Sequence, residues 1–200
     1  MSPWARVSTE EYSRLDLRAH DLLFDAPVHD VWRVFLPSGR GSCTMEDVRA
    51  VAAAAREAQR ATPPVRLLFA VRRLLGVVFG WDRVPEGARS RSFRTRLTDS
   101  DRELSLVPPG THDGPFEVLY VHETEAVSEI QNATVHALLV LALKPTPAGH
   151  DLFWAVHVLP YGMATRLYLA LINPFRRWIV YPALLRQYHK TWKRVRASAV

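Results

Sequence analysis

The run YGMATRLYLALINPFRRWIVYPALLRQYHKTWKRVRASAV, residues 161–200, decides the fold. Its helical period is interrupted only by Pro174 and Pro182. On an ideal wheel Leu167, Leu171, Trp178, Tyr181, Leu185, Tyr188 and Trp192 fall within about 60° of a common direction. Arg166, Arg176, Arg177, Arg186, Lys190, Lys193 and Arg194 all project away from that stripe. A helix divided in this way has to lay its aromatic side on a broad apolar surface.

The residues just upstream supply one. Phe116–His122, Ala126–Gln131, Ala133–Leu143 and Leu152–Leu159 alternate with a period of two and are separated by turn residues, which predicts an antiparallel meander. Closing the last hairpin over Lys144–His150 sets Val135 opposite Val158, Ala137 opposite Val156, Leu139 opposite Trp154 and Leu141 opposite Leu152. That face is wholly apolar, and the small Ala137 among larger neighbours predicts a hollow under the helix. The other face sets His136 opposite His157 and is only partly polar.

Further upstream, Asp21–Phe24 reads as a short first strand, and Pro27 as the start of a helix through Val31, Trp32 and Phe35. Thr44 with Asp47 is an N-cap pattern that opens an alanine-rich helix to Ala61, with Val48, Val51, Ala52 and Ala55 on its buried side. Val65–Phe79 predicts another helix. Asp82–Thr111 reads as a long loop with one strand around Leu104–Val107. The chain then divides into a polar leader (1–17), one domain (18–195) and a tail (196–200).

Two hundred residues with 48% apolar content are enough for one sizeable core. The single cysteine, Cys43, excludes an intrachain disulfide and fits a reducing compartment. The N-terminal residues lack the apolar run of a secretory signal, and no stretch is long and apolar enough to span a bilayer, so a cytoplasmic protein is expected. The net charge of +6 arises after Asp151, the last acidic residue. A basic helix flank of this kind is the solvated back of the helix, with peripheral membrane contact or homodimerisation as open alternatives. Nucleic acid is not an expected partner, because the aromatics that would stack on bases lie in the core stripe, away from the cations.

This order of elements resembles the α+β helix-grip, START-like (polyketide-cyclase-like) superfamily. The motifs Phe116-Glu-Val-Leu-Tyr120, Glu123-Thr-Glu-Ala-Val-Ser-Glu-Ile130 and Arg166–Arg186 are similar to an uncharacterised bacterial family, domain of unknown function 2867, over about Asp21–Lys193. The resemblance implies a curved antiparallel sheet wrapped around a long C-terminal helix, with extra helices at 44–80. It also implies a pocket for an apolar or amphipathic small molecule, lipid- or polyketide-like. In some chains such a domain follows a nicotinamide-dependent reductase domain. Here no G-x-G-x-x-G follows a strand, and Gly39-Arg-Gly41 sits in a loop.

Val135, Ala137, Leu139, Leu141, Trp154, Val156, Leu167, Leu171, Trp178 and Leu185 are the expected ligand-binding residues. His122, Glu129 and Tyr161 are the candidates for acid–base chemistry, should the domain act as a cyclase- or isomerase-type enzyme. His136 and His157 are the best metal-ligand pair the sequence offers, with His122 or Glu129 as possible third ligands, but cross-strand histidines are more often polar neighbours, so neither a metal nor another cofactor is expected. The leading expectation is therefore binding, with catalysis or a non-catalytic interaction module as alternatives.

Overall fold

In a computed structural model of the chain, the structure describes residues 3–37, 43–60, 92–131, 135–160, 170, 173–174 and 176–198. A seven-stranded antiparallel sheet has the order β1-β2-β7-β6-β5-β4-β3. Its strands are β1 (Trp4–Arg6), β2 (Val28–Pro37), β3 (His112–Asp113), β4 (Phe116–Val121), β5 (Glu125–Gln131), β6 (Val135–Thr146) and β7 (Gly149–Pro160). The helices are α1 (Thr9–Ser13), α2 (Arg18–Leu22), α3 (Met45–Arg60), α4 (Asp99–Glu103) and α5 (Tyr181–Ser198), with a 3₁₀ turn at Phe93–Arg96 and a π turn at Arg176–Val180. The helix expected at Val65–Phe79, together with Tyr161, Leu167 and Leu171, lies outside the described residues.

The meander forms as its alternation predicts, with one change of register. The hairpin closes through the turn Pro147–Ala148, with Thr146 opposite Gly149, which brings Leu139 opposite Val156, Leu141 opposite Trp154 and Ala137 opposite Val158. The slide is an even number of residues, so every side chain keeps its expected face. His157 now faces Leu138, and His136 faces Leu159.

Upstream of the meander, two elements differ in kind from the sequence reading. Asp21–Phe24 is not a strand. Ala19, Leu22, Leu23 and Ala26 are buried at helical spacing, while Phe24 is 80% exposed, so the segment closes α2 and the turn after it. Conversely, the expected helix after Pro27 is β2. Trp32, Val34 and Leu36 are buried on one side in a period of two, and these aromatic and branched residues pair along β7. The strand expected at Leu104–Val107 is irregular chain, held to β4 where Leu106 N–H donates to Val121 O at 2.7 Å.

Residues 3–17 also belong to the fold: β1 extends the edge of the sheet and Tyr12 is buried. The N-cap of α3 is the reciprocal one, Thr44 N–H to Asp47 Oδ2 at 3.0 Å and Asp47 N–H to Thr44 Oγ1 at 3.2 Å.

Both faces of the sheet are covered. On one, α3 and α5 bury Val48, Val51, Tyr181, Leu185, Tyr188 and Trp192 against Val34, Leu36, Leu141, Leu152 and Val156. On the reverse, α1, α2 and the 93–97 turn bury Tyr12, Leu22, Phe93 and Leu97 against Leu119, Leu138, Val140, Phe153 and Ala155. The aromatic stripe on the apolar sheet face is thus present from Tyr181 onward. Trp178 departs from it. At 82% exposure it projects from the π turn, whose wider winding rotates it off the face expected for an α-helix.

Candidate functional site

The two faces of the sheet hold different chemistry. On the α5 face, Asp30, Val156, Leu139 and Ser128 form one row across β2, β7, β6 and β5, and Trp32, Trp154, Leu141 and Ala126 form the next. Near α3 this wall is filled, with Leu185, Tyr188 and Trp192 at 0%, 1% and 1% exposure and the Trp154 and Tyr188 rings edge-to-face at 6.2 Å. Farther along, the described residues do not close the wall over. Ser128, Ile130, Ala137, Leu139 and Trp154 are only half-buried, although they lie on β5, β6 and β7 in the interior of the sheet. Their neighbours on the reverse face, Leu138, Val140 and Ala142, are sealed.

Of the expected lining residues, the structure thus places Ala137, Leu139, Leu141, Trp154 and Val156 on one wall of the sheet, with Leu185 of α5 packed against it. Val135 lies on β6, but its side chain is outside the described residues. A separate cleft of about 100 Å³ between α3 and α5, lined by Asp47, Ala50, Val51, Trp192, Val195 and Arg196, is smaller than a drug-sized ligand needs.

A polar group that the sequence reading missed sits at one end of the wall. The Asp30 side chain is fully buried. Its Oδ1 accepts from Arg177 Nε at 3.0 Å and lies 3.4 Å from Arg6 Nη2. A bulge at His29 turns β2 at this point, between the pairs Val28–His157 and Asp30–Val156. Among the described residues, Asp30 Oδ2 and the buried Trp32 Nε1 have no hydrogen-bond partner, and His29 Nε2 stands 3.7 Å from that oxygen. Only the alternation of Asp30, Trp32, Val34 and Leu36 on one strand could have revealed this pair, and reading the segment as a helix hid it.

The residues expected to carry acid–base or metal chemistry lie on the reverse face. Glu129 Oε2 accepts from His136 Nε2 at 2.7 Å and from Phe93 N–H at 3.2 Å, and Glu129 Oε1 accepts from Ser92 Oγ. Burial alone would raise the Glu129 pKa, but the His136 and Ser92 hydrogen bonds outweigh it and hold the carboxyl below its ordinary range. His136 and His157 do not converge. His157 donates from Nδ1 to Ala26 O at 2.8 Å and accepts at Nε2 from Tyr12 Oη at 3.3 Å, which is the neutral tautomer. Burial accordingly lowers its pKa. No group of three or more metal-binding side chains occurs among the described residues.

His122 stacks on Tyr120, ring centroids 4.3 Å apart, and Tyr120 Oη donates to Glu125 Oε1 at 2.6 Å. Burial raises the Glu125 pKa despite that bond. Asp101, buried yet bound by both Arg18 nitrogens at 2.9 Å and by Thr98, is held at about 2. Cys43 is half-buried, which pushes its thiol up to about 11 and keeps it a poor nucleophile.

These shifts predict an acid-sensitive fold. The depressed His157 stabilises above its ordinary value of 6.5 and loses that contribution as pH falls through its folded value. Glu129 acts likewise below 4.5. The raised Glu125 acts in the opposite sense, its contribution being lost as pH rises through its folded value. In a Glu125→Gln background the urea midpoint should therefore fall between pH 7.5 and pH 5, and His157→Gln should flatten that slope. A midpoint independent of pH in the Glu125→Gln protein would contradict the assignment.

The fold and the wall thus define an α+β protein with an open seven-stranded antiparallel sheet, a C-terminal helix across one face, and a partly buried apolar surface beside that helix. Residues 22–183 match the family described as protein of unknown function DUF2867, and the chain belongs to that family. No curated protein and no solved structure matches it. Among the described residues, no helix is long and apolar enough to cross a membrane.

Proposed function

We propose that the chain is a helix-grip, START-like binding protein that holds an apolar or amphipathic small molecule between its sheet and α5. The half-buried wall of Ile130, Ala137, Leu139 and Trp154 carries the reading. Apolar side chains in the interior of a sheet are ordinarily sealed, as the reverse face of β6 is, and leaving them open forgoes burial worth about 25 cal/mol per Å². A ligand laid on this wall recovers that burial. Catalysis by His122 or Glu129 is not favoured on this wall, because the sheet stands between them and it.

The test is Ala137→Trp. Ala137 lies between Ile130 and Val158 in one cross-strand row, so an indole there fills the wall from its centre. The fluorescent apolar probe N-phenyl-1-naphthylamine should bind the native protein and bind the variant at least about tenfold more weakly, with an unchanged far-ultraviolet circular dichroism spectrum. Equal binding by a folded variant would reject the wall as the site.

A further inference from the structure

The outward face of α5 carries one sign of charge. Arg186, Lys190, Lys193 and Arg194 are all exposed, and at about 100° per residue they fall within about 100° of arc. No acidic residue follows Asp151. Lys190 and Lys193 form no ion pair among the described residues, whereas Arg177 and Arg196 are engaged by Asp30 and Asp47. Like charges at i, i+4, as in Arg186, Lys190 and Arg194, repel and weaken a helix, so the stripe does not serve the stability of the fold. The N-terminal end of the same face is apolar. Trp178 and Ile179 are 82% and 53% exposed on the π turn. Followed back from Tyr181 at the roughly 80° per residue of π winding, both lie within about 60° of Arg186 and so continue the basic stripe. The turn itself is pinned, because Arg177 Nε donates to Asp30 Oδ1 and Arg176 donates to Tyr181 Oη.

We propose that this face docks α5 on an anionic lipid bilayer, with Trp178 and Ile179 entering the headgroup region and the cations of the stripe lying on lipid phosphates and carboxylates. The inference does not depend on the reading of the sheet wall as a ligand site. Tryptophan favours the boundary between headgroups and acyl chains, and an aliphatic neighbour followed by a row of cations is the composition of a helix that lies on such a surface. Each lysine or arginine brought to it contributes about fivefold in affinity. A second copy of the chain would meet this face with the same charge and be repelled. A nucleic acid would gain the phosphate contacts, but its bases need stacking platforms and Ile179 supplies none.

The experiment is co-sedimentation of the full chain with vesicles of phosphatidylcholine alone and of phosphatidylcholine with about 30% phosphatidylserine, at about 0.1 M and about 0.5 M sodium chloride. The anionic vesicles should bind at least about tenfold more tightly than the neutral ones, and the higher salt should remove that difference. Lys190→Glu combined with Lys193→Glu should weaken binding to the anionic vesicles at least about tenfold, with an unchanged circular dichroism spectrum. Trp178→Ser should weaken it about threefold or more and remove quenching of tryptophan fluorescence by brominated lipid, and it decides the matter if the charge reversal does not fold. Equal binding to the two kinds of vesicle, no binding to either, or anionic binding that survives the substitutions would overturn the proposal. Binding to polyglutamate or to duplex DNA without binding to the vesicles would overturn it as well, in favour of an acidic protein or a nucleic acid.

Discussion

Replacing Trp192 with alanine should lower the unfolding free energy by about 3–5 kcal/mol, a large share of the stability of a domain this size. Trp192 is 1% exposed on α5 within the core shared by α3 and the sheet, and its Nε1 donates to Pro37 O at 3.3 Å. The substitution therefore leaves a cavity and removes the donor for a strand-end carbonyl. It also loosens α5 against α3, where Arg196 reaches Asp47 Oδ2 at 2.9 Å. Urea unfolding read by circular dichroism measures the loss. A cost below about 1 kcal/mol would mean that α5 is not seated on the sheet as described.

The second large effect is expected at Glu129. Glu129→Leu removes one carboxylate but strands three donors at once: His136 Nε2, Ser92 Oγ and Phe93 N–H. Breaking a buried pair of this kind from one side costs about 3–5 kcal/mol. Replacing His136 with phenylalanine in the same chain should recover part of that, with a coupling of about 0.5–3 kcal/mol, because the buried imidazole no longer lacks a partner. Amide exchange should quicken in the segment from Phe93 to Glu103, which Glu129 pins to the sheet. Strict additivity of the two substitutions, with no change in exchange, would refute the account.

The structure bears out the cap of α3, because Thr44 and Asp47 specify it within four residues of chain. It bears out the meander too, because alternation is a local signal that survives a slide of the hairpin. β2 was not legible for the opposite reason. Its pattern follows a proline well suited to a helix start, and its partner in the sheet, β7, is more than a hundred residues away. The site divides in the same way. Ala137, Leu139 and Trp154 were readable as one wall from the period of two, whereas Asp30 acquires its meaning only through Arg177, 147 positions distant. Trp178 misled because a wheel drawn at 100° per residue does not hold across a π turn.

The contacts that close the molecule join its early and late segments. Arg177 meets Asp30, Arg196 meets Asp47 and Trp192 meets Pro37, across 147, 149 and 155 residues of chain. During synthesis β2 therefore waits for β7, and the α3 face waits for α5, whose last turn ends at Ser198. Such a topology folds slowly and leaves β2, with its alternating tryptophan, valine and leucine, without its β7 partner until residues 149–160 have been synthesised. Nascent chains stalled before Gly149 thus present β2 without its β7 partner, the kind of sticky strand that chaperones capture.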